Sequence, residues 1–270
     1  MKAPATINLA AYAALAAMVT KSFLAFRWAA WTRLLQSLIG LVIFVFFWRA
    51  VYANSASIAG LALETTLGYI MLARIFRPLG YFDLIFEFSY QLREGGIAEL
   101  LVRPLDVQLA YYVQGLANLA VALGQQVPLV VVALLVFRLR VPTDPLTWAV
   151  FLLSALIGRS VMFCLDFVLG CLTLYTTNDW GLNIASLGLT TFFGGGLVPL
   201  AMMPAWLRLI VQNTPFAQGV YVPIALLSGV LPLSEAPRLL LTQCVWLAGM
   251  LLVSRGFFNI ALRRITIQGG

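Results

Sequence analysis

The chain has 270 residues, of which 62% are hydrophobic and only 10% charged, against roughly a quarter charged in an ordinary soluble domain. Ten acidic and seventeen basic side chains cannot cover a water-soluble surface of this size, which excludes a soluble enzyme and makes lipid the natural solvent. With no histidine anywhere, Ser-His and Cys-His catalysis and the commonest metal and haem ligand are excluded as well.

Long continuous Leu-, Ala- and Phe-rich runs predict an all-α integral membrane protein, since a helix needs about 20 apolar residues to cross the hydrocarbon core. Transmembrane barrels would instead show short alternating segments. Six such runs are expected. Residues 1–33 come first: Lys2 precedes an apolar stretch, and Lys21, Arg27 and Arg33 are interleaved with Phe23, Phe26, Trp28 and Trp31. That mixture suits an N-terminal interfacial amphipathic helix, with Tyr12, Leu15, Val19, Phe23 and Phe26 on one face.

The first two spans fill residues 34–81. The first runs from Leu34 to Ala53, with Trp48, Arg49 and Tyr52 as expected interfacial anchors and Asn54-Ser55-Ala56-Ser57 as the short turn of a helical hairpin. The second, Ala59 to Leu79, carries Glu64 at its start and Arg74 and Arg77 at its end, which places those last turns at a water interface. Residues 82–108 hold Asp83, Glu87, Glu94, Glu99 and Asp106, half of all the acidic residues, and are read as a cytoplasmic segment.

Residues 109–270 supply four further spans and a basic tail. The third, Leu109 to Phe137, has Pro128 as an expected kink, and the fourth, Leu146 to Leu174, contains Arg159 and Asp166. The fifth, Leu182 to Ala201, is interrupted by Gly194-Gly195-Gly196 and Pro199. Pro204, Pro215 and Pro223 then divide residues 202–235 into pieces too short to span, predicting surface or re-entrant helices. The sixth, Arg238 to Val253, precedes Arg255, Arg263 and Arg264.

Counting basic residues by side sets the orientation. With the N-terminus inside, eleven face the cytoplasm and five (Arg49, Arg138, Arg140, Arg208, Arg238) lie outside, so both termini and the 82–108 segment are expected in the cytoplasm. The net charge of +7 is distributed as span-end topology signals, with no soluble face to gather it into a nucleic-acid groove.

Arg159 and Asp166 are the costly residues, each about 2.5 to 3.5 kcal/mol at a helix centre. They share a helix face about 10 Å apart, and two readings stand: they line a polar translocation path, or they pair with neighbouring helices. Gly194, Gly195, Gly196 and Pro199 suit either a hinge or close helix packing. Cys164, Cys171 and Cys244 sit in apolar runs and are expected as buried thiols. Neither lysine belongs to a G-x-x-x-x-G-K-[ST] phosphate loop, so this chain does not bind ATP by that route.

The segment Arg93-Glu-Gly-Gly-Ile-Ala-Glu-Leu-Leu-Val-Arg-Pro-Leu-Asp106 resembles the cytoplasmic motif of a subgroup of ABC-2-type transporter permeases. Gly196-Leu-Val-Pro-Leu-Ala-Met-Met-Pro-Ala-Trp-Leu-Arg208, Asn213-Thr-Pro-Phe216 and the ending Leu262-Arg-Arg-Ile-Thr-Ile-Gln-Gly-Gly270 add to the likeness. The resemblance implies the membrane subunit of an ABC exporter in a bacterial inner membrane: a non-catalytic permease working as a homodimer or heterodimer with a cytoplasmic ABC ATPase that holds the ATP and magnesium. It also implies that Arg93, Glu94, Gly95, Gly96, Glu99, Arg103, Pro104 and Asp106 form the ATPase-coupling segment and that the fifth span lies near the permease dimer contact. A gradient-driven transporter and a non-transporting scaffold are the alternatives; no internal repeat favours the first, and intramembrane charges argue against the second.

Overall fold

A computed structural model describes residues 9–25, 27–82, 84–93, 96, 105–176 and 179–268. Helix α1 (Leu9–Ala25) packs along α5 (Val107–Gln125). Tyr12 is buried in that contact, and its hydroxyl accepts a hydrogen bond from the Asp106 backbone N–H at 3.2 Å. The side chains of residues 19–30, which carried the expected interfacial pattern, lie outside the described ones.

Helix α2 (Arg27–Val51) turns Leu41, Val45 and Trp48 inward, at the spacing of one helix face, and Tyr52 just beyond its end continues that face. Ile39, Ile43, Phe46 and Phe47 are exposed on the other side, as a lipid-facing surface requires. Trp48 and Tyr52 are therefore core residues and not the interfacial anchors expected. The Tyr52 hydroxyl donates to the Leu61 carbonyl at 3.0 Å and shares a hydrogen bond with Thr66 at 2.8 Å. The expected short polar turn is a β-hairpin, β1 (Ser57–Ile58) against β2 (Leu61–Ala62). Its two-residue loop, Ala59 and Gly60, has φ of 50° and 79°, the pair of positive values that a type I′ turn demands.

The second span is broken. Helix α3 (Leu63–Ile75) gives way to a 3-10 turn (Arg77–Gly80), and α4 (Leu84–Arg93) follows. Pro78 supplies no N–H to continue the α-helical ladder, and the chain leaves α geometry at Phe76, with φ of −92° and ψ of 11°. Part of the stretch expected as cytoplasmic is thus packed protein. Leu84, Ile85, Phe88 and Ser89 of α4 are buried while Phe86, Glu87 and Tyr90 are exposed. Glu87, one of the charges that marked this stretch, sits on the outward side of the helix.

Pro128 acts as expected. Helix α5 ends at Gln125, and α6 (Val127–Leu135) restarts with the proline in its first turn, where a missing N–H costs nothing. Helix α7 (Pro145–Leu172) is the centre of the molecule, packed against α4, α5 and the segments that follow. Its N-cap Asp144 accepts from the Thr147 hydroxyl at 2.9 Å and from the Leu146 and Thr147 N–H groups at 3.2 and 3.1 Å. These bonds hold the Asp144 carboxyl below its usual pKa.

Helix α8 (Asp179–Phe193) is shorter than the expected fifth span. The prolines then give short pieces, as predicted: a 3-10 turn (Leu200–Met202), α9 (Ala205–Gln212), a π turn (Ala217–Tyr221) and α10 (Val222–Ser228). Helix α9 exposes Trp206, Leu209 and Ile210, whereas Ala217, Ile224, Ala225 and Leu227 are wholly buried, so the chain dips from the surface into the core. Helix α11 (Ala236–Gln268) continues through the expected basic tail. On it Gln243, Met250, Ser254, Phe258 and Ala261 face inward. Cys164 and Cys171 are buried as expected, but Cys244, rotated about 100° from Gln243, is exposed.

The protein is nearly all-α and multi-pass. Among the described residues, four stretches are long and apolar enough to cross a membrane: Trp31–Val51, Val107–Leu135, Pro145–Leu172 and Leu233–Arg263. Helices α3 and α8, at 13 and 15 residues, fall short of the roughly 20 needed alone. Two cores meet along α7. One surrounds α3, α10 and the first half of α7; the other is an aromatic cluster of Phe82, Phe88, Tyr111, Phe163, Phe167 and Phe258 around its second half.

Candidate functional site

The break in the second span leaves backbone carbonyls without helical partners inside a packed apolar interior, where an unpaired polar group costs several kcal/mol. Arg159, halfway along α7 and 2% exposed, fills that gap. Its Nη1 donates to the carbonyls of Pro78, Leu79 and Tyr81 at 2.5, 3.3 and 3.1 Å, and its Nη2 to the Gly115 carbonyl of α5 at 2.8 Å. The guanidinium carbon lies 3.6 Å from the Phe82 ring centroid, within cation–π range. A fixed positive charge thus caps the negative end of the α3 segment and ties three helices together. Asp166, also buried, accepts from Ser186 of α8 at 3.2 Å. Both residues are thus partnered by neighbouring elements of this chain.

Beside Arg159, the π turn crosses α7 backbone to backbone. A Cβ on Gly158 would lie 2.8 Å from the Gln218 carbonyl oxygen and 2.9 Å from that of Gly219, and one on Gly219 would run into the Met162 side chain. The Gln243 amide of α11 bridges the crossing: it donates to the Gln218 carbonyl at 2.6 Å and accepts from the Ser154 hydroxyl at 3.0 Å. Farther along α11, Ser254 accepts from Gln108 of α5 at 2.8 Å. Sequence reading missed this buried polar seam. Its one signal was glutamine in the middle of apolar runs.

The three consecutive glycines end α8. Gly196 N–H bonds the Thr191 carbonyl at 2.9 Å, Gly195 N–H bonds that of Phe192 at 3.3 Å, and Gly195 has φ of 73°, the pattern of a Schellman cap. The Tyr69 hydroxyl of α3 donates to the Gly195 carbonyl at 2.9 Å, and a Cβ on Gly195 would lie 2.5 Å from that hydroxyl. Pro199 leads into the following 3-10 turn. These residues pack within this chain, against α3 and the π turn.

Of the expected coupling residues, Arg93 closes α4, Gly96 is helical, and Asp106 is the N-cap of α5. Glu94, Gly95, Glu99, Arg103 and Pro104 lie outside the described residues. Asp106 is a junction. It accepts from Leu109 N–H at 2.8 Å and pairs with Arg255 of α11 at 2.6 Å, while its own N–H reaches Tyr12. Partial burial pushes its carboxyl up, and the Arg255 and Leu109 bonds outweigh this, leaving its pKa below the usual value. The charged segment is therefore anchored at both ends, on α4 and on the α1–α5–α11 junction.

A model of the ABC-2 family transporter proteins matches residues 38–269. The chain belongs to the ABC-2 family. It is a membrane-embedded permease-type component of an ABC transporter, and no curated protein matches it. The matched region begins within α2 and takes in the broken second span, the Arg159 clamp, the glycine cap and the charged segment. Helix α1 lies before it.

Proposed function

We propose that this chain is the permease subunit of an ATP-driven exporter, in which a separate cytoplasmic ABC ATPase binds ATP and magnesium and grips the segment from Arg93 to Asp106. The family match over nearly the whole chain carries this reading. Two features of the fold support it. The charged segment follows α4 in the chain, and α4 is wedged against α7 by Phe88, whose Cβ lies 3.3 Å from where a Cβ of Gly170 would be. The other end of that broken span is held by Arg159. A push on the segment would therefore reach the break as a rigid movement.

In this reading the membrane is crossed six times, by α2, by α3 with α4, by α5 with α6, by α7, by α8 with its cap, and by α11. Helix α1 rests at the cytoplasmic interface, and the dip from α9 to α10 is re-entrant. Both termini face the cytoplasm of a bacterial inner membrane, and a second permease completes the translocation path. Affinity purification of a tagged copy from mild detergent, expressed with its neighbouring genes, tests the proposal. Recovery of a stoichiometric ATPase with a phosphate loop, alone or with a sister permease, is the expected result. Repeated recovery of this chain alone, without ATPase activity, would move the assignment to a gradient-driven transporter or a scaffold.

A further inference from the structure

Arg74 and Arg77 were expected at a water interface, yet the fold holds them level with the middle of the spans. The Arg74 guanidinium lies 3.8 Å from the Phe44 ring centroid, and its Nη1 lies 3.3 Å from where a Cβ of Gly40 would be. Gly40 and Phe44 occupy the middle of the Trp31–Val51 stretch. On the other flank, Phe76 stacks on Phe151 at 4.8 Å, and the carbonyls from Pro78 onward reach Arg159 at the midpoint of α7. Arg77 lies between these two levels.

At that depth a cation costs about 2.5 to 3.5 kcal/mol, and these two are close enough to repel each other. Neither forms a salt bridge among the described residues: Glu64 pairs with Arg140, Asp106 with Arg255, and Asp166 bonds Ser186. The Nε of Arg74 is buried without a hydrogen-bond partner, whereas Arg77 is exposed. Helix α2, which presents Gly40 and Phe44 to Arg74, also carries the exposed apolar stripe of Ile39, Ile43 and Phe47. Two guanidiniums without a carboxylate partner among the described residues, on the same face of the molecule as an apolar strip, match the chemistry of one ligand class.

We propose that Arg74 and Arg77 bind the anionic headgroup, phosphate or carboxylate, of an amphiphile whose apolar body lies along Ile39, Ile43 and Phe47. This goes beyond the exporter reading by naming a class of ligand for a lipid-facing surface of the permease, and it rests on that reading for the membrane setting.

Native mass spectrometry of the full chain in neutral detergent tests it, with dodecyl phosphate, dodecyltrimethylammonium, inorganic phosphate and phosphatidylglycerol as probes. One dodecyl phosphate per chain is expected, weakened about tenfold by Arg77→Gln or Arg74→Gln, the loss of one charge-assisted contact. Arg77→Lys should retain binding. Arg77→Glu should transfer preference to dodecyltrimethylammonium, a gain that misfolding cannot imitate. Phosphatidylglycerol binding as tightly as dodecyl phosphate assigns the site to a membrane lipid, and weaker binding assigns it to a single-chain cargo. Equal binding by wild type and Arg77→Gln would overturn the proposal. So would equal retention of inorganic phosphate, or loss of a dimer in place of an adduct. The readout needs no ATPase, so failure here leaves the exporter assignment standing, and failure to recover an ATPase leaves the binding result standing.

Discussion

Helix α7 and the α3–α4 segment lie side by side and meet the same apolar surroundings in opposite ways. Helix α7 runs 28 residues without interruption, so its interior backbone groups are satisfied within the helix. The α3–α4 segment is cut at Pro78 and Gly80, and its freed carbonyls depend on a side chain of α7 that is about 80 residues away in sequence. A continuous helix is stable in lipid through its own hydrogen bonds, whereas a broken one is stable only in company. In the exporter function proposed above, that dependence makes the broken segment the part an ATPase would move.

The comparison breaks most completely at the helix crossing. Replacing Gly219 by leucine forces a side chain into Met162 and separates the π turn from α7; loss of the monodisperse peak in fluorescence-detected size exclusion is expected, while Gly249→Leu, in open space on α11, should leave it unchanged. Arg159→Gln comes next. Leaving several buried carbonyls unpaired costs about 1–3 kcal/mol each, so membrane abundance and thermal stability should fall sharply, with Arg159→Lys intermediate. Normal abundance with lost export would instead assign Arg159 to the translocation path.

Asp106→Ala removes an N-cap and the Arg255 pair, an expected loss of about 1–2 kcal/mol in a thermal unfolding assay. The pH dependence follows from the lowered pKa of Asp106. Its stabilisation is present above the ordinary carboxylate value near 4 and is lost as pH falls through the lower folded value, so wild type and Asp106→Asn should converge in acid. The smallest effect is expected at Glu64, whose 2.9 Å pair with Arg140 is largely exposed. Glu64→Gln should shift stability by about 0–1 kcal/mol, less in high salt.

Much of this architecture was legible in the sequence. Continuous apolar runs marked α2, α5–α6, α7 and α11, Pro128 marked its kink, and Pro204, Pro215 and Pro223 marked the short pieces. The break at Arg77–Gly80 was not legible, because hydropathy stays high on both sides of it. Helix α4 was hidden by Glu87, whose charge lies on the outward face while Leu84, Ile85 and Phe88 point inward. Arg159 was recognised as costly, but its partners are main-chain carbonyls, which carry no side-chain signature. The glycine triplet was read as a hinge or a packing surface, and the Schellman cap emerged only with the positive φ at Gly195.

The exporter account rests most heavily on the segment between α4 and α5 meeting an ATPase. A photoreactive amino acid at position 96, cross-linked in intact cells and analysed by mass spectrometry, measures that contact directly. The account predicts a covalent adduct with a phosphate-loop ATPase whose yield changes with nucleotide, and none from the same probe at Asp144. Adducts with lipid alone, or equal ATPase adducts from both positions, would contradict it.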